Sequence, residues 1–349
     1  MKAVRLHGRG DLRIDDVDEP APAAGQVKIR NAYVGICGSD LHVYFDPDHS
    51  GLDYSTPHPI TGAMLPQILG HEFSGTVVEL GAGVGDLEVG DRVAVRPLYS
   101  CGSCAACRAG MPNVCRTVGF HGLTSHGGGL AEYTTVAREM VHRLPGSVDL
   151  VYGALVEPMA VAWHAATRGD VRPGGAALIV GAGPIGIGLW FALRAQGIEQ
   201  VIMSDPNPSR RRVAEELGVP HVLDPGGSDI AAVCADLTGG AGVQAAFDAA
   251  GVGAATTQAL GALAPGGRIV IVAVHQHGFE LDSSRLVFGE LAISGVLAYR
   301  PEDFESVIAA MDSGVYSTTG WVDQIELEAV GAALHQLRDG RGTKLLVRI

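Results

Sequence analysis

The stretch Ala176-Ala-Leu-Ile-Val180-Gly181-Ala-Gly183-Pro184-Ile185-Gly186 decides the fold. A short apolar run reads as a buried strand, the glycines as a tight turn, and Pro184 as the first residue of a helix. Gly181 permits the turn. Gly183 lets a backbone approach a pyrophosphate. Gly186 lets helix and strand pack closely, while the helix N-terminus offers unpaired N–H groups to phosphate. Asp205 closes the next strand-like run, Gln200–Ser204, where a carboxylate accepts hydrogen bonds from ribose hydroxyls and repels a 2′-phosphate. That favours NAD over NADP. Arg210, in the basic run Arg210-Arg211-Arg212, brings positive charge near the same place and keeps NADP open as the less favoured cofactor. A glycine-rich turn without ligand is the plain alternative.

Outward from this turn the texture is α/β. Helical apolar spacing covers Val156–Thr167, Pro184–Gln196 and Arg210–Leu217. Strand-like runs cover Ala177–Val180, Gln200–Ser204, Val243–Asp248 and Arg268–Val274. Alternation of this kind predicts a doubly wound parallel sheet. The first 150 residues are instead β-rich, with runs at Gln26–Asn31, Ser74–Leu80, Arg92–Val95 and Leu130–Val136, and Lys344–Ile349 reads as one more strand. A dinucleotide-binding domain inserted between a long N-terminal piece and a short C-terminal piece explains the order.

The chain has 349 residues, enough for about two domains. It carries a net charge of -13 and no long basic run, which argues against binding nucleic acid and fits a small neutral ligand. Met1–Gly10 alternates apolar and charged residues and lacks the apolar core of a signal peptide. Ala176–Leu193 is apolar enough to suggest a membrane span, but its glycines and Pro184 read as strand, turn and helix. The expectation is a soluble, cytoplasmic protein with no membrane partner.

Four of the six cysteines, Cys101, Cys104, Cys107 and Cys115, crowd into one short lobe. Their spacing brings four thiolates within reach of one tetrahedral ion, and a site closed by four sulfurs leaves no position for substrate. Structural zinc is the expectation, with an iron–sulfur cluster or unliganded thiols as the other readings.

A second metal set is subtler. Gly35-Ile-Cys37-Gly38-Ser39-Asp40-Leu-His42 and Gly70-His71-Glu72-Phe-Ser-Gly75 each place a good zinc ligand beside glycines. Glu72 and Glu157, the latter before Pro158, offer oxygen. A three-ligand zinc with an exchangeable position suits Lewis-acid catalysis. Taken singly, Cys37 reads as a small core residue, His71 as a structural histidine and Glu157 as a helix-start residue.

These stretches, with the Cys101–Cys115 lobe, Ala154-Leu-Val-Glu-Pro158 and the Gly181–Gly186 turn, occur in an order that resembles the zinc-dependent medium-chain dehydrogenase/reductase superfamily over essentially the whole chain. The resemblance implies a GroES-like catalytic domain, residues 1–150 and 299–349 with a zinc lobe at 96–116. It also implies a Rossmann domain, residues 151–298, with the active site in the cleft between them. It implies Cys37, His71 and Glu157 as catalytic zinc ligands, and Glu72 as a ligand or an exchangeable neighbour. Ser39 then accepts the alcohol proton and His42 continues the relay. Lys344 matches a basic position that approaches the cofactor in some members.

Within the superfamily the likeness is to the 2,3-butanediol dehydrogenase branch, with sorbitol and other polyol dehydrogenases near by. It rests on Asp40-Leu-His-Val-Tyr44, Pro57-His-Pro-Ile-Thr61, Leu65-Pro66, Phe120-His-Gly-Leu123 and Ala160-Val-Ala-Trp-His164. The expected activity is hydride transfer between a small secondary alcohol, a vicinal diol or hydroxyketone, and NAD. Catalytic and structural zinc are both expected, in a homodimer or homotetramer. A zinc-free quinone or enone reductase of the same fold has no need of Cys37, His71 and Glu157 together. A non-catalytic dinucleotide-binding or redox-sensing protein is the rival of another class.

Overall fold

The computed structural model describes all 349 residues, the side chain of His49 excepted. Six strands form a parallel sheet around the glycine turn: β1 (Ala176–Val180), β2 (Gln200–Ser204), β3 (His221–Leu223), β4 (Val243–Asp248), β5 (Leu263–Ile271) and β6 (Ala292–Gly295). Their spatial order is β3-β2-β1-β4-β5-β6. This is the doubly wound Rossmann order, which reverses between β1 and β4. Leu178 of β1 pairs in register with Ile202 of β2 and Ala246 of β4, and every residue of β1 is buried. A strand covered by helices on both faces needs an unbroken apolar run, which is why Ala176–Val180 carries no polar residue. Ala176–Leu193 is therefore strand, turn and helix, and among the described residues no helix is long and apolar enough to cross a membrane.

The other sheet is mainly antiparallel. It runs Val141–Arg143, Arg92–Val95, Glu72–Leu80, Gln26–Gly35, Lys344–Arg348, Val322–Glu326, and Tyr133–Ala137 also pairs with Gln26–Gly35. A smaller sheet joins Asp11–Asp16, Lys2–Gly8 and Gln67–Ile68. Gln26–Gly35 is central: Gly35 lies opposite Glu72 on one side and Leu346 on the other. Side chains from the two ends of the sequence are thereby brought to one spot.

Two expectations change in detail. The strand expected at Leu130–Val136 spans Tyr133–Ala137, because the Leu130 N–H is engaged by the Leu69 carbonyl oxygen and Ala131 bridges Ala3. The helix expected from Val156 begins at Leu150, where the Asp149 carboxylate accepts the Tyr152 N–H at 3.0 Å, and it continues to Gly169 through Pro158. Glu157 is thus a mid-helix residue, not a helix-start residue.

The chain divides into two compact units. One holds Met1–Glu157, Arg300–Asp312 and Val322–Ile349; the other holds Pro158–Tyr299 and Ser313–Trp321. Ser313–Trp321, expected within the catalytic domain, clusters with the Rossmann unit. Tyr316 packs on Phe191 with ring centroids 5.0 Å apart, and the Trp321 indole donates to the Ser317 carbonyl oxygen.

Candidate active site

Cys37 stands where the strand Gln26–Gly35 gives way to the helix Gly38–Phe45. The turn is fixed from inside: the Asp40 carboxylate accepts the Cys37 N–H at 2.9 Å. An acidic side chain three residues after the N-cap answers one of the helix's orphan donors. The other Asp40 oxygen, Oδ1, lies 3.6 Å from His71 Nδ1, with both side chains almost sealed from water. That is too long for a hydrogen bond, and neither atom has another hydrogen-bond partner, but a carboxylate this close behind one imidazole nitrogen leaves the opposite nitrogen for a metal.

His71 follows Gly70, whose φ of +91° glycine alone adopts freely, and precedes the strand Glu72–Leu80. Burial opposes a charge on its ring. The Asp40 carboxylate and the Cys37 sulfur outweigh that and raise its pKa well above the ordinary imidazole value.

Glu72 points from the start of that strand beneath Gly35. A Cβ at Gly35 would stand 2.0 Å from Glu72 Oε2, so only glycine leaves room for the carboxylate. Lys344 donates to the same oxygen, and to the Ile36 carbonyl oxygen at 3.0 Å. Burial disfavours the ammonium, but Glu72, Cys37 and Glu157 hold it charged and raise its pKa. Glu72 Oε1 is buried with no hydrogen-bond partner. A buried charge needs a compensating partner, and a cation beside Oε1 would be one.

The ligand atoms of Cys37, His71 and Glu72 all lie within 4.8 Å of one another. A thiolate, an imidazole and a carboxylate at that separation fit a zinc ion with an open position. Glu157 lies outside this group: it is buried mid-helix and acts on the site through the Lys344 charge. Ser39 lies on the first turn of the helix, its hydroxyl accepting from the Cys37 thiol at 3.9 Å. His42, three residues on, shares that helix face and is half-buried.

A second group is made of sulfur alone. Cys101, Cys104, Cys107 and Cys115 bring their Sγ atoms within 4.8 Å of one another, Cys104 at 3.6 Å from Cys107 and 3.9 Å from Cys115. Backbone N–H groups point at the sulfurs, Cys101 N–H to Cys115 and Cys104 N–H to Cys101, each at 3.3 Å. Donors from Ser103 and Cys104 bring the Cys101 thiol down to about 5, while burial and the neighbouring sulfurs push Cys107 up to about 11. Four thiolates ionise together only around a cation, and four sulfurs suit a closed zinc site.

In the Rossmann unit, Gly181 turns the chain at φ +99°, and a Cβ at Gly186 would stand 1.8 Å from the Gly181 carbonyl oxygen. Nothing lies within 4 Å of where a Gly183 Cβ would be, which leaves room above the helix that begins at Pro184-Ile185. Asp205, at the end of β2, accepts the Ala182 N–H at 2.8 Å and the Asn207 N–H at 2.7 Å, with the Arg210 guanidinium 4.0 Å away. Its carboxylate thus ties the glycine turn to the next loop.

Sequence reading assigned no role to Asp40, although its spacing from Cys37 was a visible capping signal. The Lys344–Glu72 pair, 272 residues apart in sequence, left no signal at all.

The pattern of the alcohol dehydrogenase GroES-like domain matches residues 23–146, and that of the zinc-binding dehydrogenases matches residues 184–313. The chain is 37% identical to the (R,R)-butanediol dehydrogenase of Bacillus subtilis, over 100% of this chain and 99% of that one. It is 32% identical to the sorbitol dehydrogenase of the same species, over 96% of this chain and 93% of that one. The crystal structure of 2R,3R-butanediol dehydrogenase from Bacillus subtilis superposes with a TM-score of 0.91 at 36% identity, covering 100% of this chain and 99% of that chain. A GroES-like domain, a Rossmann sheet and full-length likeness to named alcohol dehydrogenases lead to one conclusion: the chain belongs to the zinc-dependent alcohol dehydrogenases of the medium-chain dehydrogenase/reductase superfamily.

Proposed function

We propose that this enzyme oxidises a small vicinal diol of the 2,3-butanediol type to the hydroxyketone with NAD, and reduces the hydroxyketone in reverse. The observation that carries the reading is the Cys37–His71–Glu72 group, with Asp40 behind the imidazole and Lys344 behind the carboxylate. Zinc held there by Cys37 and His71, with Glu72 or Glu157 as the oxygen ligand, supplies Lewis-acid polarisation of an alcohol or carbonyl oxygen. Nicotinamide supplies the hydride acceptor.

The chain's own residues do the rest. Ser39 stands beside the Cys37 sulfur, where its hydroxyl takes the proton of the alcohol and His42, one helical turn on, carries it outward. The Asp40 carboxylate faces the His71 ring from 3.6 Å and stabilises positive charge on it. Lys344 compensates one oxygen of Glu72 and leaves Oε1 without a partner in the protein, open either to the metal or to a second hydroxyl on the substrate. Gly181, Gly183 and Gly186 open the helix N-terminus to a pyrophosphate, with Pro184 and Ile185 in its first turn. The Asp205 carboxylate favours the free ribose of NAD over the phosphate of NADP, with Arg210 as the opposing charge.

Likeness to a sorbitol dehydrogenase supports a longer polyol as the second reading. We further assign the enzyme to the cytoplasm, as a homodimer or homotetramer. All six cysteines are free, and β6 is an edge strand beside the exposed side chains of Val287 and Phe288. Light scattering tests the oligomer.

The deciding experiment is formation of reduced nicotinamide from 2,3-butanediol stereoisomers and sorbitol, with NAD or NADP, before and after chelation. Zinc-dependent turnover of one butanediol isomer with NAD is expected. Faster turnover of sorbitol would move the substrate to the polyols. No turnover of any secondary alcohol by zinc-replete protein would overturn the reading.

A further inference from the structure

The connection between the helix Gly38–Phe45 and Gly70-His71 is long, and it joins the elements that carry Cys37 and His71. It does not lie free. Tyr54 donates its phenol O–H to the Leu123 carbonyl oxygen at 3.1 Å. Thr61 donates its hydroxyl to the Thr124 carbonyl oxygen at 2.5 Å. The His58 ring accepts the Ile60 and Thr61 N–H groups at Nδ1, so Nε2 carries the proton and donates to the Val118 carbonyl oxygen at 3.2 Å. Its ring also lies close against Gly119, where a Cβ would stand 2.5 Å from His58 Cε1. All three bonds land on residues 118–124.

Those receiving residues are the direct exit of the four-cysteine lobe. Val118 N–H bonds to the Cys115 carbonyl oxygen, and Leu98 and Tyr99 before the lobe pair with Phe120 and Gly119 after it. Buried His121 locks this exit between the Tyr99 hydroxyl at 2.8 Å and the Thr134 hydroxyl at 2.6 Å. The next turn presses on the metal-ligand strand, backbone to backbone. A Cβ at Gly122 would stand 2.1 Å from the Gly70 carbonyl oxygen and 2.9 Å from His71 N, and Gly129 N–H bonds to that same carbonyl oxygen.

The lobe exit therefore touches the candidate site along two routes, through the Gly70-His71 backbone and through the connection that leads back to Cys37. We propose that Tyr54, His58 and Thr61 form a clasp that fixes this connection on the four-cysteine lobe, making Tyr54 and Thr61 positioning residues of the Cys37–His71 metal site. The lobe then governs how firmly that site keeps its ion, beyond merely stabilising its own loop. A part-buried hydrogen bond that ties the connection between two ligand-bearing elements to a fixed neighbour restricts the ligand spread an ion must overcome, and losing it shows as faster release.

This inference rests on the zinc reading above, and the test separates the two. Zinc release from the full-length, zinc-loaded protein to a coloured chelator is followed in the wild type and in Cys37→Ser. The phase that Cys37→Ser lacks belongs to the catalytic site. The double variant Tyr54→Phe/Thr61→Val, which deletes two hydroxyls and little volume, is expected to speed that phase about twenty-fivefold, on the order of fivefold for each of the two neutral hydrogen bonds lost. Thr61→Ser, which keeps the hydroxyl, is expected to release at the wild-type rate. Cys107→Ser, which opens the lobe, speeds the same phase, and adding it to the double variant gives less than the product of the two effects. Should Cys107→Ser fail to fold, His121→Gln loosens the lobe exit instead. A double variant that releases catalytic zinc at the wild-type rate overturns the clasp, as do effects of clasp and lobe that multiply independently. A wild type with no phase that Cys37→Ser lacks overturns the zinc reading first, and the clasp with it.

Discussion

Lys344, in the last strand of the chain, donates its ammonium to the Glu72 carboxylate, and 2% and 1% of the two side chains remain exposed. The pair holds the C-terminal strand and the metal-ligand strand against Gly35, which has no side chain to keep them apart. Removing one member leaves the other as an unpaired buried charge. Lys344→Met is expected to cost about 3–5 kcal/mol of unfolding free energy. Adding Glu72→Gln to it should recover part of that loss. Urea denaturation of the two variants reads the difference, and equal stability of Lys344→Met and wild type would contradict the pairing.

In the proposed relay the Ser39 hydroxyl receives the substrate proton. Ser39→Ala should lower kcat by about 10²–10⁴ while zinc content stays that of the wild type. Metal analysis beside steady-state kinetics checks this. A variant with unchanged kcat would remove Ser39 from the relay.

Two glycines of the dinucleotide turn predict different outcomes. A Cβ on Gly186 collides with the Gly181 backbone, so Gly186→Ala should lose about 1–3 kcal/mol of stability as well as cofactor affinity. Nothing in the protein lies near a Cβ on Gly183, so Gly183→Ala should keep its melting temperature and weaken only the cofactor. Fluorescence titration with NADH and thermal unfolding separate the two.

On the proposed reading the Asp205 carboxylate opposes a 2′-phosphate, and Arg210 is 4.0 Å away. Asp205→Ser should lower kcat/KM with NAD and raise it with NADP, each by about ten- to a hundredfold for loss or gain of a charged hydrogen bond. Kinetics with both cofactors tests the direction. An unchanged ratio would mean that neither residue reads the ribose.

Buried His121 gives a pH signature. Burial alone brings its pKa down to about 3. The unfolded chain binds a proton at an ordinary imidazole pKa of about 6.5, so between these values the unfolded state holds the extra proton. Stability therefore falls as pH drops through that window, by about 1.4 kcal/mol per pH unit at most, and the effect levels off below the folded pKa. Above the window His121 is neutral in both states and contributes no slope. His121→Gln should flatten this part of the curve, measured as unfolding free energy against pH relative to wild type.

Much of the site was legible. The four cysteines stood out because short spacers must wrap one ion, whereas Cys37 and His71, ambiguous taken singly, were legible through the motifs that carry the family resemblance. The glycine turn was legible because positive φ and backbone crowding at Gly181 and Gly186 admit almost nothing else. The limits of the helix around Glu157 were less so: Pro158 reads locally as a helix start, but Asp149 caps the chain a full two turns earlier.

The sequence by itself determined the alternating α/β half, the β-rich half, the four-cysteine lobe and the acidic charge. Those follow from local periodicity and from residue chemistry. Tertiary structure alone decided that Glu72 stands with Cys37 and His71 while Glu157 lies outside their group, that Lys344 closes the far side, and that residues 118–124 bind the connection between the ligand-bearing elements. The physical reason is sheet register. Gly35 faces Glu72 on one neighbour and Leu346 on the other, and such pairing between segments hundreds of residues apart leaves no periodic trace in the chain.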